Sequence, residues 1–343
     1  MLIRPVQPED NEQLINLEKT AGQGEKLRIV TERSNYFFRA RKFNQPIFYL
    51  AEDEKTGKIL GVMGVGPATV SLAGKKRKGG FIFDWRSSPE IKSLNRSMYR
   101  IWMAVIREIK ERGIEFVFGF VKEDNYRSLN VIKKAGAFPV GNKIFHVLPL
   151  HRPYAHRSGS FFLDKNIDPW EEYLTSRSQW GEYDLFPLYD APEDFPTERN
   201  NCMVGKIHAG SSTAKIWNTT REYNFRVLEI PRVLQLARPV FSRLSRFLPL
   251  PRIPGRGTVI KNWFLYDFSV AREKDLPLLL ECARQEAIKE NIDYLVFFRD
   301  AQDAPLIFLQ KKAWIKFKYN TIFLPFKELP RPQNPTYYDT GFL

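Results

Sequence analysis

The residues from Glu123 to Phe138 carry the densest chemical signal in the chain. An apolar run, Phe116 to Val121, leads into Glu123-Asp124-Asn125. One amphipathic helix pattern follows, and Gly136 stops it before Phe138. Carboxylates are the groups here that could move a proton. Glu123 and Asp124 also have a simpler reading, as acids at a helix start where the dipole favours them. Asp84, inside the aromatic strand Phe81-Ile82-Phe83-Asp84-Trp85-Arg86, is either a general base or a structural carboxylate. Other chemistries find less support. Cys202 and Cys282 are far apart and outside any CxxC pair, and His146, His151, His156 and His208 lack metal-ligand spacing, so no metal is expected.

These residues belong to a chain of 343, too long for one ordinary core and about right for two domains. Hydrophobic residues make up 43% and charged ones 27%, the balance of a folded globular protein. The net charge of +14 suits a phosphate-bearing partner: nucleic acid, anionic lipid or a nucleotide-containing polyanion such as coenzyme A. The first residues lack the apolar core of a signal peptide, and no run approaches the ~18 apolar residues of a membrane span. With so little cysteine, the expected location is the cytoplasm.

The elements that must position the site read as follows. Leu2 to Val6 is a strand, and a helix capped by Asp10 buries Leu14, Ile15 and Leu17. A second helix is expected around Arg33 to Lys42. Strands at 46–51 and 59–65 flank a turn at Asp53 to Gly57. Lys75 to Gly80 reads as a basic turn before the strand 81–86. Leu94, Met98, Ile101, Trp102, Val105 and Ile109 recur at helical spacing up to Gly113. The strand 116–121, the helix of the opening segment and strands over 143–148 complete a mixed α/β half, with an antiparallel meander followed by a parallel crossover.

The rhythm returns later. Strands are expected at 202–209, 213–218 and 224–230, a helix at 233–247, a strand at 259–268, a helix at 275–289, a strand at 294–298, a helix at 303–312 and a hairpin at 314–326. Lys133-Lys134-Ala135-Gly136-Ala137-Phe138 is echoed by Lys311-Lys312-Ala313-Trp314-Ile315. The expected organisation is 1–150 as the first domain, 151–200 as a junction, 201–330 as a second, degenerate copy, and 331–343 as an extended tail.

Taken together, the strand–helix order and the Glu123–Phe138 segment resemble the GNAT superfamily of acyl-CoA-dependent N-acyltransferases. The resemblance implies a mixed sheet with helices on both faces, here in tandem. It implies an acetyl group moved from acetyl-CoA to a primary amine, of a small molecule or a protein, by direct attack and without a metal or covalent intermediate. Asn125 and Ser128 match the positions that meet the pantetheine arm. Trp85, Arg86 and Ser87 match the end of the cofactor strand. Lys92, Asn95, Arg96 and Ser97 match the phosphate loop, although the two family glycines are replaced by Asn95 and Ser97. Asp84 becomes the candidate base. The family's acid tyrosine, seven residues beyond the asparagine, falls on Ile132. Nearly the whole chain is loosely similar to plant Hookless-type N-acetyltransferases, through Ser88-Pro89 and Glu123, Asn125 and Ser128 in the first half and, more distinctively, Ile216-Trp217-Asn218, Arg226-Val227 and the Leu248–Pro254 run in the second. The second half would shape the acceptor cleft or a homodimer contact.

The lost glycines and tyrosine keep a second reading open, a CoA-binding or regulatory protein derived from the same fold. A nucleic-acid-binding role for the basic surface is third. The helix at 233–247, with Arg238, Arg243 and Arg246 among apolar residues, reads either as a core helix with a solvated basic face or as a docking element for a membrane, an acidic partner or nucleic acid.

Overall fold

Alternating and continuous apolar runs become strands, and the 3.6-residue repeats become helices laid on them. The computed structural model describes residues 1–20, 22, 28–88, 94–150, 160–196, 201–244, 253–300 and 315–338, with the backbone alone at 94–96, 127 and 299. The first half contains β1 (Leu2–Pro5), α1 (Asn11–Thr20), β2 (Arg28–Arg33), β3 (Ile47–Glu52), β4 (Ile59–Leu72), β5 (Lys75–Ser87), α2 (Leu94–Glu111), β6 (Phe116–Lys122), α3 (Tyr126–Lys134) and β7 (Phe138–Pro149). The second contains β8 (Phe161–Asp164), α4 (Pro169–Trp180), β9 (Met203–Ala209), β10 (Ser212–Asn218), β11 (Tyr223–Glu229), α5 (Arg232–Leu244), β12 (Val259–Ile260), β13 (Asn262–Ser269), α6 (Leu276–Lys289), β14 (Tyr294–Asp300) and β15 (Ile315–Pro325).

One sheet crosses both halves in the order β1-β3-β4-β5-β6-β15-β7-β14-β13-β10-β9-β8. Its centre is an exchange. β15 of the second half pairs with β6 of the first (Phe323↔Phe118), and β7 of the first pairs with β14 of the second (Phe297↔His146). β15 and β7 pair with each other between them. Lys143 of β7 and Asp300 of β14 meet at 2.6 Å, both almost completely buried. Asp300 also accepts from the Thr336 N–H at 3.2 Å, tying the C-terminal segment to this seam. A smaller sheet, β12-β11-β2, joins the halves a second time, with Tyr223 opposite Arg33.

The large sheet is covered on both faces. Met98, Ile101, Trp102, Val105 and Ile109 of α2 pack on Val117, Ile322 and Leu324. The opposite face, under α1, gathers Tyr36, Phe43, Phe48, Phe81, Phe83, Phe118 and Phe323. In the second half α6 lays Leu276, Leu279 and Ala283 over Ile207, Ile216, Trp263 and Leu265.

Several elements differ from expectation for identifiable reasons. The segment 33–42 forms the end of β2 and two short 3₁₀ turns, Tyr36–Phe38 and Ala40–Lys42, instead of a helix. Buried carboxylates draw its cations inward: Arg33 reaches Glu18 and Asp84, Arg39 reaches Asp84, and Lys42 reaches Glu222. Lys75 to Gly80 is strand. The turn sits at Ala73–Gly74, where φ of +49° and +71° matches a tight hairpin. Residues 315–325 form one central strand instead of a hairpin, because both edges find partners. Residues 259–268 divide between the two sheets as β12 and β13, and β11 leaves the large sheet to pair with β2. The arginine-rich helix runs Arg232–Leu244 through Pro239. The helix expected at 303–312 lies outside the described residues. The junction holds β8 and α4, whose start is capped by Asp168, an acceptor for the Trp170 N–H at 2.8 Å.

Candidate functional site

The site grows from one irregularity in β5. Val62 pairs with Arg86 and Gly64 with Phe83, so Asp84 and Trp85 together oppose the single residue Met63. This is a β-bulge, and Asp84 adopts φ +48° to make it. A short polar residue tolerates that conformation better than a bulky one. Bulges bend their strand, and the parallel pairing of β5 with β6 consists of Gly79–Phe116, Gly80–Val117 and Phe81–Phe118. Beyond it, Ile82–Ser87 and Gly119–Lys122 are not paired with each other. Backbone groups left free of the ladder along this wedge can take an extended, amide-bearing ligand between two strands.

Asp84 is the hub of a buried ion cluster beside this wedge. Its side chain is fully buried, and its oxygens meet Arg39 Nη1 at 2.7 Å and Arg33 Nη2 at 3.1 Å. Arg33 Nε donates to Glu18 Oε2 at 2.5 Å, and Glu18 Oε1 pairs with Arg86 Nη2 at 2.5 Å. The Arg33 guanidinium also lies 3.8 Å from the Tyr36 ring centroid. Burial alone would raise the pKa of Asp84, but Arg33, Arg39 and Arg86 more than reverse this and hold it below the ordinary carboxylate value. A carboxylate placed this way anchors the bulge. It is poorly suited to take a proton from an incoming amine.

The other sequence candidates fall into groups. Asn125 caps α3 and is exposed, its Oδ1 accepting from the Ser128 N–H at 3.2 Å. Asn125 and Ser128 therefore stand at the open end of the wedge, where β6 gives way to the α3 N-terminus. Trp85 turns to the other face and stacks on Trp102 of α2, with centroids 6.3 Å apart. Arg86 belongs to the ion cluster, and Ser87 pairs with Gly61. Ser97 is buried in α2. Lys92 and the side chains of Asn95 and Arg96 lie outside the described residues. Ile132 is buried in the α2–α3 core, as an apolar residue on that helix face should be.

Sequence reasoning missed the aromatic polar groups on the sheet face under the smaller sheet. Tyr319 of β15 sits opposite Lys122 of β6 and Lys143 of β7, its ring 5.0 Å from Phe145. Burial, with the Asp124 carboxylate as a further cause, pushes its phenol up to about 12. Tyr338 packs 4.3 Å from Phe120 and 4.5 Å from Phe298, and burial raises its pKa well above the usual tyrosine value. Both phenols stay protonated at neutral pH. Asp124, which bonds Lys122 at 2.7 Å, keeps a partly exposed carboxylate on this side. No spacing rule reaches Tyr319, since it comes from the far end of the chain. Cys202 and Cys282 are buried with thiols pushed up to about 12, so neither is poised as a nucleophile.

The second half repeats the irregularity. Thr213 pairs with Ser269 and Lys215 with Tyr266, leaving Asp267 and Phe268 opposite Ala214. Phe264-Leu265-Tyr266-Asp267-Phe268 repeats Phe81-Ile82-Phe83-Asp84-Trp85 in character, a signal already present in the sequence.

Comparison with solved structures places this geometry among known folds. Saccharomyces cerevisiae N-myristoyltransferase with bound myristoyl-CoA aligns over 98% of this chain and 87% of its own, with a TM-score of 0.62 at 12% identity. A second structure of that yeast enzyme with myristoyl-CoA aligns over 98% and 82%, at TM-score 0.61 and 12% identity. A third, with myristoyl-CoA and inhibitors, covers 99% and 85% at TM-score 0.60 and 12% identity. At that identity the likeness is one of fold. No family model matches the sequence, and no curated protein matches it.

Proposed function

We propose that this chain, which has the tandem GNAT fold, is an acyl-CoA-dependent N-acyltransferase acting on a primary amine. The observation that carries the reading is the wedge: β5–β6 pairing that stops at Phe81–Phe118, with the bulge at Asp84 just beyond it. A pantetheine arm carries two amides, and the facing edges of β5 and β6 offer donors and acceptors at the right repeat. Asn125, Ser128 and the α3 N-terminus would meet the arm near its thioester. The phosphates would fall to the start of α2, with Lys92 and Arg96 as cations and Asn95 and Ser97 in place of glycines.

In this reading the amine nitrogen attacks the thioester carbonyl carbon, the carbon–sulfur bond breaks, and an amide forms. The departing thiolate accepts a hydrogen bond from the Tyr319 phenol, which burial keeps protonated, and takes its proton from water. The attacking amine gives its surplus proton to Asp124, the partly exposed carboxylate on the same face. Asp84 holds the bulge and the two arginines instead of acting as base. The acyl group is acetyl in the simplest case. The fold-level likeness to a transferase solved with myristoyl-CoA brings longer chains into the same test.

A second reading, a CoA-binding protein without turnover, is favoured by one observation. Ser97 is buried at the position where a glycine would let phosphate approach the backbone. Thermal shift with CoA, acetyl-CoA and myristoyl-CoA, followed by thiol release over a panel of amines and N-terminal peptides, separates the cases. A shift with thiol release supports the transferase. A shift without release across the panel supports the binding protein. No shift at millimolar acyl-CoA rejects both.

A further inference from the structure

Helix α5 has no part in that reaction. It lies in an excursion, residues 230–258, between β11 and its antiparallel partner β12 (Phe225↔Ile260, Arg226↔Val259). The Val227 N–H donates to the Thr258 carbonyl at 3.0 Å, and the Gly257 N–H to the Val227 carbonyl at 2.8 Å, closing the base of the excursion. The hairpin would close with a short turn, so the extra chain serves something other than the sheet.

None of the residues of α5 is buried. Val233, Leu236, Val240 and Leu244 are 76%, 80%, 57% and 41% exposed. At 100° per residue they fall within an arc of about 80°, a single apolar stripe. Four of the ten large apolar side chains that are exposed among the described residues therefore lie on this one helix. Leu234, Ala237 and Phe241, half-buried, form the face toward the protein. Arg232 and Arg243 border the stripe on the opposite side, and neither has an ion-pair partner among the described residues.

The geometry points to an anionic lipid surface as the occupant of this stripe. The charge decides among occupants. A second copy would bring another +14 and oppose arginine to arginine, whereas anionic headgroups complement both the arginines and the net charge. Thirteen residues make a helix of about 20 Å, shorter than the ~30 Å hydrocarbon core, so α5 lies in the interface and does not cross it. Val233, Leu236, Val240 and Leu244 enter the acyl boundary while the arginines stay among the headgroups.

Co-sedimentation of the full chain with vesicles tests this. Phosphatidylcholine vesicles containing phosphatidylglycerol should pellet the protein, pure phosphatidylcholine should not, and high salt should release it. Leu236→Glu with Val240→Glu should abolish pelleting and leave the melting temperature unchanged, because both side chains are exposed. Arg232→Gln with Arg243→Gln should weaken binding roughly thirtyfold. Equal binding to the zwitterionic vesicles, or pelleting that survives the glutamate pair, would overturn the proposal. So would no pelleting at all, or a dimer in solution that the glutamate pair disperses.

Discussion

Asp84 and Asp267 occupy the same place in the two halves of this chain. Each begins the two-residue bulge of its strand, and each has φ +48°. Each carboxylate is buried among cations or hydroxyls from neighbouring elements. Asp84 holds Arg33 and Arg39, while Asp267 accepts from Ser176 Oγ at 2.6 Å and the Tyr337 hydroxyl at 2.7 Å, with Lys215 at 3.3 Å. The two halves thus share the bulge and differ in the partners that secure it.

Asp84→Asn should destabilise the protein by about 3–5 kcal/mol at neutral pH, because two arginines lose a buried counter-charge. The pH dependence has a definite sign. The folded pKa of Asp84 lies below its unfolded value, so its contribution is full above the unfolded value and is lost as pH falls through the folded one. Urea titrations at stepped pH should show the gap between wild type and variant narrowing below about pH 4. A gap that stays constant into acid would mean that the charge of Asp84 is not what stabilises.

Tyr319→Phe should lower turnover about 10²-fold while leaving the acyl-CoA thermal shift in place, since the phenol serves the leaving thiolate and not the arm. With the phenol pushed up to about 12, its ionisation should add no alkaline limb to the wild-type rate below about pH 11. Full activity in the variant would remove Tyr319 from the mechanism.

Asn125 has two roles that substitutions can part. Asn125→Ala should cost about 1 kcal/mol through the lost α3 cap and should also weaken the acyl-CoA shift. Asn125→Asp keeps an acceptor for the Ser128 N–H, so stability should return while the ligand shift stays weak. If both variants shift as wild type does, the arm lies elsewhere.

The exchange of β7 and β15 predicts one unfolding transition for both halves. Each half's last strand is hydrogen-bonded beside the other's, and the Lys143–Asp300 pair is sealed within the seam. Calorimetry should give a single peak, and Asp300→Ala should move it down as a whole by removing the counter-charge of Lys143, at about 3–5 kcal/mol. Two separate peaks in the wild type would show that the halves fold independently.

Much of the fold was legible because it rests on local pattern. The α2 periodicity from Met98 to Ile109 buries the side chains that it marks, and the Glu123–Phe138 segment forms the strand-to-helix passage expected of it. Where long-range charge pairing outweighs local preference, the pattern misleads. Arg33 to Lys42 has helix-compatible residues, yet Glu18, Asp84 and Glu222 hold its cations in turns.

By itself the sequence determined the buried face of α2 and the strand-to-helix passage at Asn125, since each depends on residues near one another in the chain. Only the tertiary structure decided what surrounds them. It turned Asp84 from a candidate base into an ion-pair hub, because Arg33 and Arg39, from another part of the chain, converge on it. It set Tyr319 beside Lys122, although Ile132 occupies the tyrosine position of the local motif, because a strand from the other half completes the sheet there. Strand exchange joins residues from far-separated parts of the chain, such as Phe297 with His146 and Phe323 with Phe118, and no local preference encodes which edge a strand will find.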